Sequence, residues 1–217
     1  LIRIKGTSHL TIGAAGGIGV GLYTQADPLT LGLFAAVGAV SGLIPDLDTN
    51  GLASNKITLS KGLIKTPLML MGIGIIIYSL YQSFISTTFD FQLLLSILIG
   101  GGMVVLSKII TQKRMLTLTG VGVVMGGLAL NMTLWIMLLG VYILIASFLP
   151  HRSYTHTIIG LSFFAGIMHM AQTALSFDGL FLVGIVGYIS HLVADMKALP
   201  VNRRGVKFFA PIWNKEF

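Results

Sequence analysis

The chain has 217 residues, of which 54% are hydrophobic and 10% charged, and it contains no cysteine. Soluble domains carry roughly 25% charged residues, so this composition excludes a water-soluble globule. The missing thiols exclude disulfides and thiolate metal sites, leaving only nitrogen and oxygen as metal donors. The formal charge of +7 does not by itself point to nucleic acid, because in a chain this apolar the placement of charge says more than its sum.

Apolar runs of about 20 residues, the length that spans a hydrocarbon core of about 30 Å, recur from end to end. Eight spans are predicted: 9–26, 28–45, 66–86, 91–110, 116–130, 133–149, 157–175 and 179–198. The expected fold is an all-α polytopic membrane bundle of about eight transmembrane helices, forming one membrane-embedded domain over residues 1–217. A transmembrane β-barrel would need short alternating segments, which are absent from the sequence. The chain begins at Leu1, and no secretory signal pattern precedes the first apolar run.

The breaks between spans are chemically sensible. They fall at Asp27-Pro28, the polar stretch from Asp46 to Lys65, Thr87 to Asp90, the basic knot TQKRM, Asn131, HRSYTH and Phe177-Asp178-Gly179. The first span is rich in glycine, with Gly13, Gly16, Gly17, Gly19 and Gly21, as expected where helices approach closely in a membrane.

Charge tests this map. With eight spans, Arg3, Lys5, Lys56, Lys61, Lys65, Lys113, Arg114, Arg152, Arg203, Arg204, Lys207 and Lys215 all lie on one side. Lys108 and Lys197 sit near span ends on that side and can snorkel there. The opposite loops hold Asp27, Asp90 and Asp178. The positive-inside rule makes the basic face cytoplasmic, which places both termini inside and the chain in a bacterial cytoplasmic (inner) membrane.

Ionisable residues within spans are rare and are functional by default. His9 opens the first span, and Asp46 and Asp48 close the second in LIPDLDTN. His151 and His156 lie between the sixth and seventh, and His191 and Asp195 fall late in the eighth within GYISHLVADM. All seven land at the basic face, whereas His169 stands apart inside the seventh span. His191 and Asp195 are four apart, so they share one helix face. Pro45 is expected to end the second helix and leave an extended Asp-Leu-Asp that aims both carboxylates one way. Four segments thus offer imidazole and carboxylate at one depth, more donors than one four-coordinate zinc needs. Two divalent ions would use them better. The histidines favour zinc or manganese, with iron and magnesium still open.

Arg152, between the two histidines of HRSYTH, either contacts phosphate or simply anchors the basic face; Ser153, Tyr154 and Thr155 can orient ligands from behind. No G-x-S-x-G nucleophile elbow occurs. The chemistry expected is a hydrolase acting at the cytoplasmic leaflet through a metal-activated water. Its substrate would be a phosphoester of a lipid or lipid-linked molecule. Arg203, Arg204, Lys207 and Lys56 would gather anionic head groups. Asp48, His156, Asp195 and Arg152 are the candidate catalytic residues. Membrane lipids are the expected partners and nucleic acid is not. The alternative is a metal-ion or proton transporter using the same cluster, disfavoured because the polar groups gather at one end only.

In order, the blocks Ser8-His9, LIPDLD, HRSYTHT and GYISHLVADM resemble the YdjM family of bacterial inner-membrane proteins. The resemblance implies a metal-dependent hydrolase distantly similar to zinc-dependent phospholipase C and P1-type nucleases. It assigns metal ligation to His9, Asp46, Asp48, His151, His156, His191 and Asp195. Two departures stand out. Thr49 occupies a position where the family often has histidine, and KALPVNRRGV replaces a segment that tends toward T-P-x-G-V.

Overall fold

The computed structural model describes residues 5–49, 51–56, 58–86, 91–197 and 205–217. Arg3, Asp90, Arg203 and Arg204, which figured in the charge map and in head-group binding, lie outside these residues. Among the described residues there are nine α-helices: α1 (Gly6–Tyr23), α2 (Pro28–Ser41), α3 (Leu52–Lys56), α4 (Gly62–Ser86), α5 (Phe91–Ile109), α6 (Gln112–Ala129), α7 (Leu134–Phe148), α8 (Ile158–Leu175) and α9 (Leu180–Ala194). Two 3₁₀ turns, Ile44–Asp48 and Tyr154–His156, complete the described regular structure.

The eight long helices fall on the eight predicted spans, and the short α3 sits in the loop after the second. Among the described residues, four stretches are long and apolar enough to cross a membrane: Pro28–Asp48, Gly62–Ile85, Phe91–Ile109 and Ile158–Leu175. These four meet the length and apolar content of a crossing by themselves. Helices α1 and α6 are diluted by glycine and threonine. Helices α7 and α9, 15 residues each, run about 22 Å, short of a core of about 30 Å.

The helix ends follow local chemistry. Asp27 caps α2 by accepting from Leu29 N at 2.9 Å and Thr30 N at 3.2 Å, and Pro28 fits the first helical position, where no amide hydrogen is needed. Thr111 caps α6 and Thr157 caps α8 in the same way. Gln25, Asn131, Ser176 and Gly179 take left-handed backbone conformations in the turns after α1, α6 and α8, which explains the breaks at Asn131 and Asp178-Gly179.

Packing between α1, α2 and α9 is backbone on backbone. A Cβ on Gly17 would lie 2.1 Å from Phe34 O, one on Gly13 2.3 Å from Gly38 O, and one on Gly187 2.5 Å from Gly38 O. Lipid tails are as apolar as leucine side chains, so close approach of small residues replaces hydrophobic burial as the adhesive. Tyr142, Phe164, Ile167, Tyr188 and Leu192 fill the core between α7, α8 and α9. Helices α4 and α5 pack chiefly on each other, with Gly72 and Gly100 face to face. The segment from α3 into α4 is tied to α6 by the buried Gln112, whose Oε1 accepts from Lys61 N at 2.9 Å and whose Nε2 donates to Leu59 O at 3.1 Å and to Ser54 O. Residues 205–217 return to the bundle, where Phe208 O accepts from Ile158 N at 2.9 Å.

The glycine contacts give a test within one helix. Gly17→Ala must push α1 off α2, with an expected cost of about 1–3 kcal/mol. Gly19→Ala meets nothing within 4 Å and is expected to be neutral or slightly stabilising. Thermal unfolding in detergent should separate the two; equal midpoints would mean that α1 and α2 are not in backbone contact.

Candidate metal centre

The 3₁₀ turn Ile44–Asp48 corrects one expectation: Asp46-Leu47-Asp48 is not extended. Pro45 sits in the first turn, where its missing N–H costs nothing, so the chain continues as a tighter helix. Leu47 is wholly buried between the two aspartates, which share His151 but otherwise differ, Asp46 facing His156 and His191 and Asp48 facing Thr155.

His191 lies in the last turn of α9, and Asp195 is its C-terminal cap. His9, in the first turn of α1, is buried and stacks on His191 with ring centroids 3.9 Å apart. The HRSYTH segment turns through Arg152, whose φ of 59° lies in the left-handed region, a conformation that costs a non-glycine residue about 1 kcal/mol or more. That turn sends His151 and Arg152 inward and leads into the 3₁₀ turn carrying the buried His156. Thr157 then starts α8.

The side chains meet at one point. Nε2 of His156 and Nε2 of His191 are 3.2 Å apart. Asp46 Oδ1 lies 3.7 Å from the first and 3.8 Å from the second, and Asp195 Oδ2 lies at the same 3.7 and 3.8 Å. His9 Nε2 stands 3.5 Å from Asp195 Oδ1, and His151 Nδ1 is 3.9 Å from Asp46 Oδ1. Ligand atoms held at 2.0–2.1 Å around a tetrahedral ion are about 3.4 Å apart, so the spacing suits donors around an ion better than it suits direct hydrogen bonds. The donors form two groups, His9 with His191 and Asp195, and Asp46 with His151 and His156, each with its ligand atoms within 4.8 Å of one another.

Hydrogen bonding fixes the tautomers of the two central imidazoles. His191 Nδ1 donates to Gly42 O at 2.7 Å, since a carbonyl can only accept. The Thr155 hydroxyl donates its proton to Asp48 Oδ2 at 2.9 Å, so at 3.0 Å it accepts from His156 Nδ1. In neutral rings both Nε2 atoms then carry lone pairs, and they point at each other. One proton or one metal ion can sit between them. The cluster holds three carboxylates, Asp46, Asp48 and Asp195, against one guanidinium, Arg152 Nη2, 3.2 Å from Asp195 Oδ2. With neutral histidines its formal charge is −2, and a single proton answers only half of that. His9 Nδ1 is buried without a hydrogen-bond partner among the described residues. The donor set therefore fits divalent metal.

Six of the seven sequence-derived ligands join the two groups. Asp48 lies outside both groups; its oxygens meet Thr155 and, at 3.1 Å, His151 Nδ1, a position from which a carboxylate orients His151 and, through Thr155, His156. Arg152, expected at the site or merely at the surface, is in the site. His9 reaches the centre. His169 stays apart, packed edge-on against Phe181. Of the three residues expected to orient ligands, Thr155 does so; Tyr154 is largely exposed, and Ser153 Oγ has no partner among the described residues. Thr49 serves the turn, donating to Asp46 O at 2.8 Å. Sequence reasoning missed Tyr188, whose hydroxyl donates to Thr155 O and meets Tyr142 OH at 2.9 Å. The available signal was spacing: Tyr188 is three residues before His191, on the same helix face.

Burial alone would lower the His151 pKa, but the hydrogen bond and charge of Asp48, with the charge of Asp46, outweigh it and push it up. In the metal-free protein this ion pair adds stability below the ordinary imidazole range, and the gain is lost as pH rises through the raised value. Metal competes with that proton, so the stabilisation by added zinc or manganese is expected to be larger near about pH 8 than near about pH 6. A pH-independent gain in thermal midpoint would contradict ligation by His151. Thr155→Val removes the bond that fixes His156 and should weaken metal binding about 10–100-fold, read by titration against a chelator. Unchanged affinity would exclude Thr155 as an orienting residue.

A family model described as the YdjM inner membrane protein matches residues 4–217. No curated protein and no solved structure matches the chain. The match covers all four segments that build the centre, and the chain therefore belongs to the YdjM inner membrane protein family.

Proposed function

We propose that this membrane protein is a metal-dependent hydrolase whose site faces the cytoplasm and whose substrate is a phosphoester of a lipid or lipid-linked molecule. The observation that carries the reading is the convergence of four histidines, three aspartates and Arg152 from four separate segments on one buried centre of net negative charge, inside a strongly basic protein. Two ions, one per donor group, are the proposed complement. When bound, such ions acidify water and offset charge developing on phosphoryl oxygens.

The chain's own residues supply the rest. Arg152 presents a permanent, planar cation at the edge of the donor set and suits a phosphoryl oxygen. Its bond to Asp195 holds the guanidinium there before substrate arrives. The His151–Asp48 pair forms the more open side of the site, His151 being 30% exposed in its side chain. Asp48, which accepts from His151 Nδ1 at 3.1 Å, orients that ring and makes it a stronger donor to an ion. The apolar surroundings of α1, α2 and α9 exclude bulk water, which strengthens each of these contacts. Lys56 and Lys207 add positive charge for anionic head groups.

Protein purified in detergent is expected to carry two divalent ions per chain and to release head groups from mixed bacterial lipids. One ion per chain would instead indicate a single centre shared by His156, His191, Asp46 and Asp195. His156→Ala and Asp195→Asn should lose both metal and activity. Asp48→Asn should lower metal affinity or activity about 10–100-fold, as losing the carboxylate behind a ligating histidine does. Arg152→Gln should lower kcat/KM on phosphoesters, with Arg152→Lys partly restoring it. Bound metal with ion flux into liposomes and no hydrolysis would replace the enzyme reading with a transporter.

A further inference from the structure

A second polar site lies apart from the metal centre, at the basic end of the bundle where α5, α6 and α7 come together. It is a cavity of about 510 Å³ whose lining includes Lys108, Lys113, Arg114, Thr117, Ser147 and Phe148. No Asp or Glu lines it, and none occurs anywhere between Asp90 and Asp178. Among the described residues Lys108, Lys113 and Arg114 make no ion pair. Three cations thus surround one hollow with no acid to answer them. Thr111, Lys113 and Arg114 place the N-terminal end of α6, the positive end of a helix, at the cavity wall.

We propose that this cavity holds the head group of an anionic phospholipid. Basic pockets between membrane helices on the cytoplasmic side bind such head groups, and the walls here fit the whole molecule. Its apolar lining is open to the surroundings: Phe148 is 69% exposed and Ile109 46%. Acyl chains can follow these side chains along α5 and α7 while the phosphate meets the cations. A free phosphate ion has no use for that lining. The Thr117 and Ser147 hydroxyls are spent on each other and on the Lys113 and Leu144 carbonyls, so charge rather than hydroxyl donors recognises the ligand. Arg114 donates to Ile109 O at the end of α5, which holds one cation in place while the two lysines, both exposed, remain adaptable.

The test uses the full chain in nanodiscs of phosphatidylcholine with and without phosphatidylglycerol. Phosphatidylglycerol is expected to raise the thermal midpoint and to be retained in native mass spectra. Lys108→Gln with Lys113→Gln should weaken this about 25-fold, at roughly fivefold per lysine near the membrane surface, and Lys113→Gln alone about fivefold. Arg114 is left in place because it caps α5. Lys61→Gln with Lys65→Gln removes the same charge from the same face outside the cavity and should change retention less than about twofold. Four outcomes would overturn the proposal: equal loss in the control pair, no loss in the cavity variants, stabilisation by inorganic phosphate equal to that by the lipid, or equal retention of phosphatidylcholine.

Discussion

Two imidazole nitrogens, each on the lone-pair side of its neutral ring, face each other at 3.2 Å in the apolar interior of this protein. Gly42 holds the proton of one ring on its far nitrogen, and Thr155 does the same for the other. Around them stand carboxylates that outnumber the nearby guanidinium. Uncompensated charge in such an interior costs several kcal/mol per ion, so the arrangement asks for a cation. The surrounding architecture can be read as the means of keeping these repelling groups together. Glycine contacts lock α1 to α2 and α2 to α9; they set His9 against His191 and bring the Gly42 carbonyl to the His191 ring.

That lock explains a division within the fold. Helices α1, α2, α7, α8 and α9, with the two 3₁₀ turns, build the centre and share its core. Helices α4 and α5 pair with each other and supply no donor to it. Gln112 is the hinge pin between the two parts, because its one amide group holds the loop between α3 and α4 against α6.

Much of this was legible in the sequence, for physical reasons. Apolar length marks helices, so all eight long ones were found. Ionisable groups are costly in lipid, so His9, Asp46, Asp48, His151, His156, His191 and Asp195 stood out at once, and the basic residues fixed their common face. The rest depended on three-dimensional detail that a residue list does not carry. The Asp46–Asp48 turn is helical because Pro45 starts a turn as readily as it ends one. Asp48 stands behind His151 and Thr155, with its oxygens bonded to both, an arrangement that the spacing of LIPDLD does not reveal. Tyr188 and the Gly42 carbonyl act through hydrogen bonds to residues 33 and 149 positions away in the chain, beyond the reach of local pattern. Length and apolar content alone mark four crossings among the described residues, because the other long helices are shorter or more dilute in apolar residues.

The span between His9 and Asp195 covers most of the chain, and it sets an order of events during synthesis. A growing chain emerges at roughly 5–20 residues per second, so α1 has to wait many seconds in the membrane before α9 exists to meet it. Through that interval His9 and the Asp46–Asp48 turn have neither His191 nor Asp195, and the glycine face of α2 has only half its company. The centre can close only when the last helix arrives. Its completion is thus a chemical record that every preceding segment has taken its place.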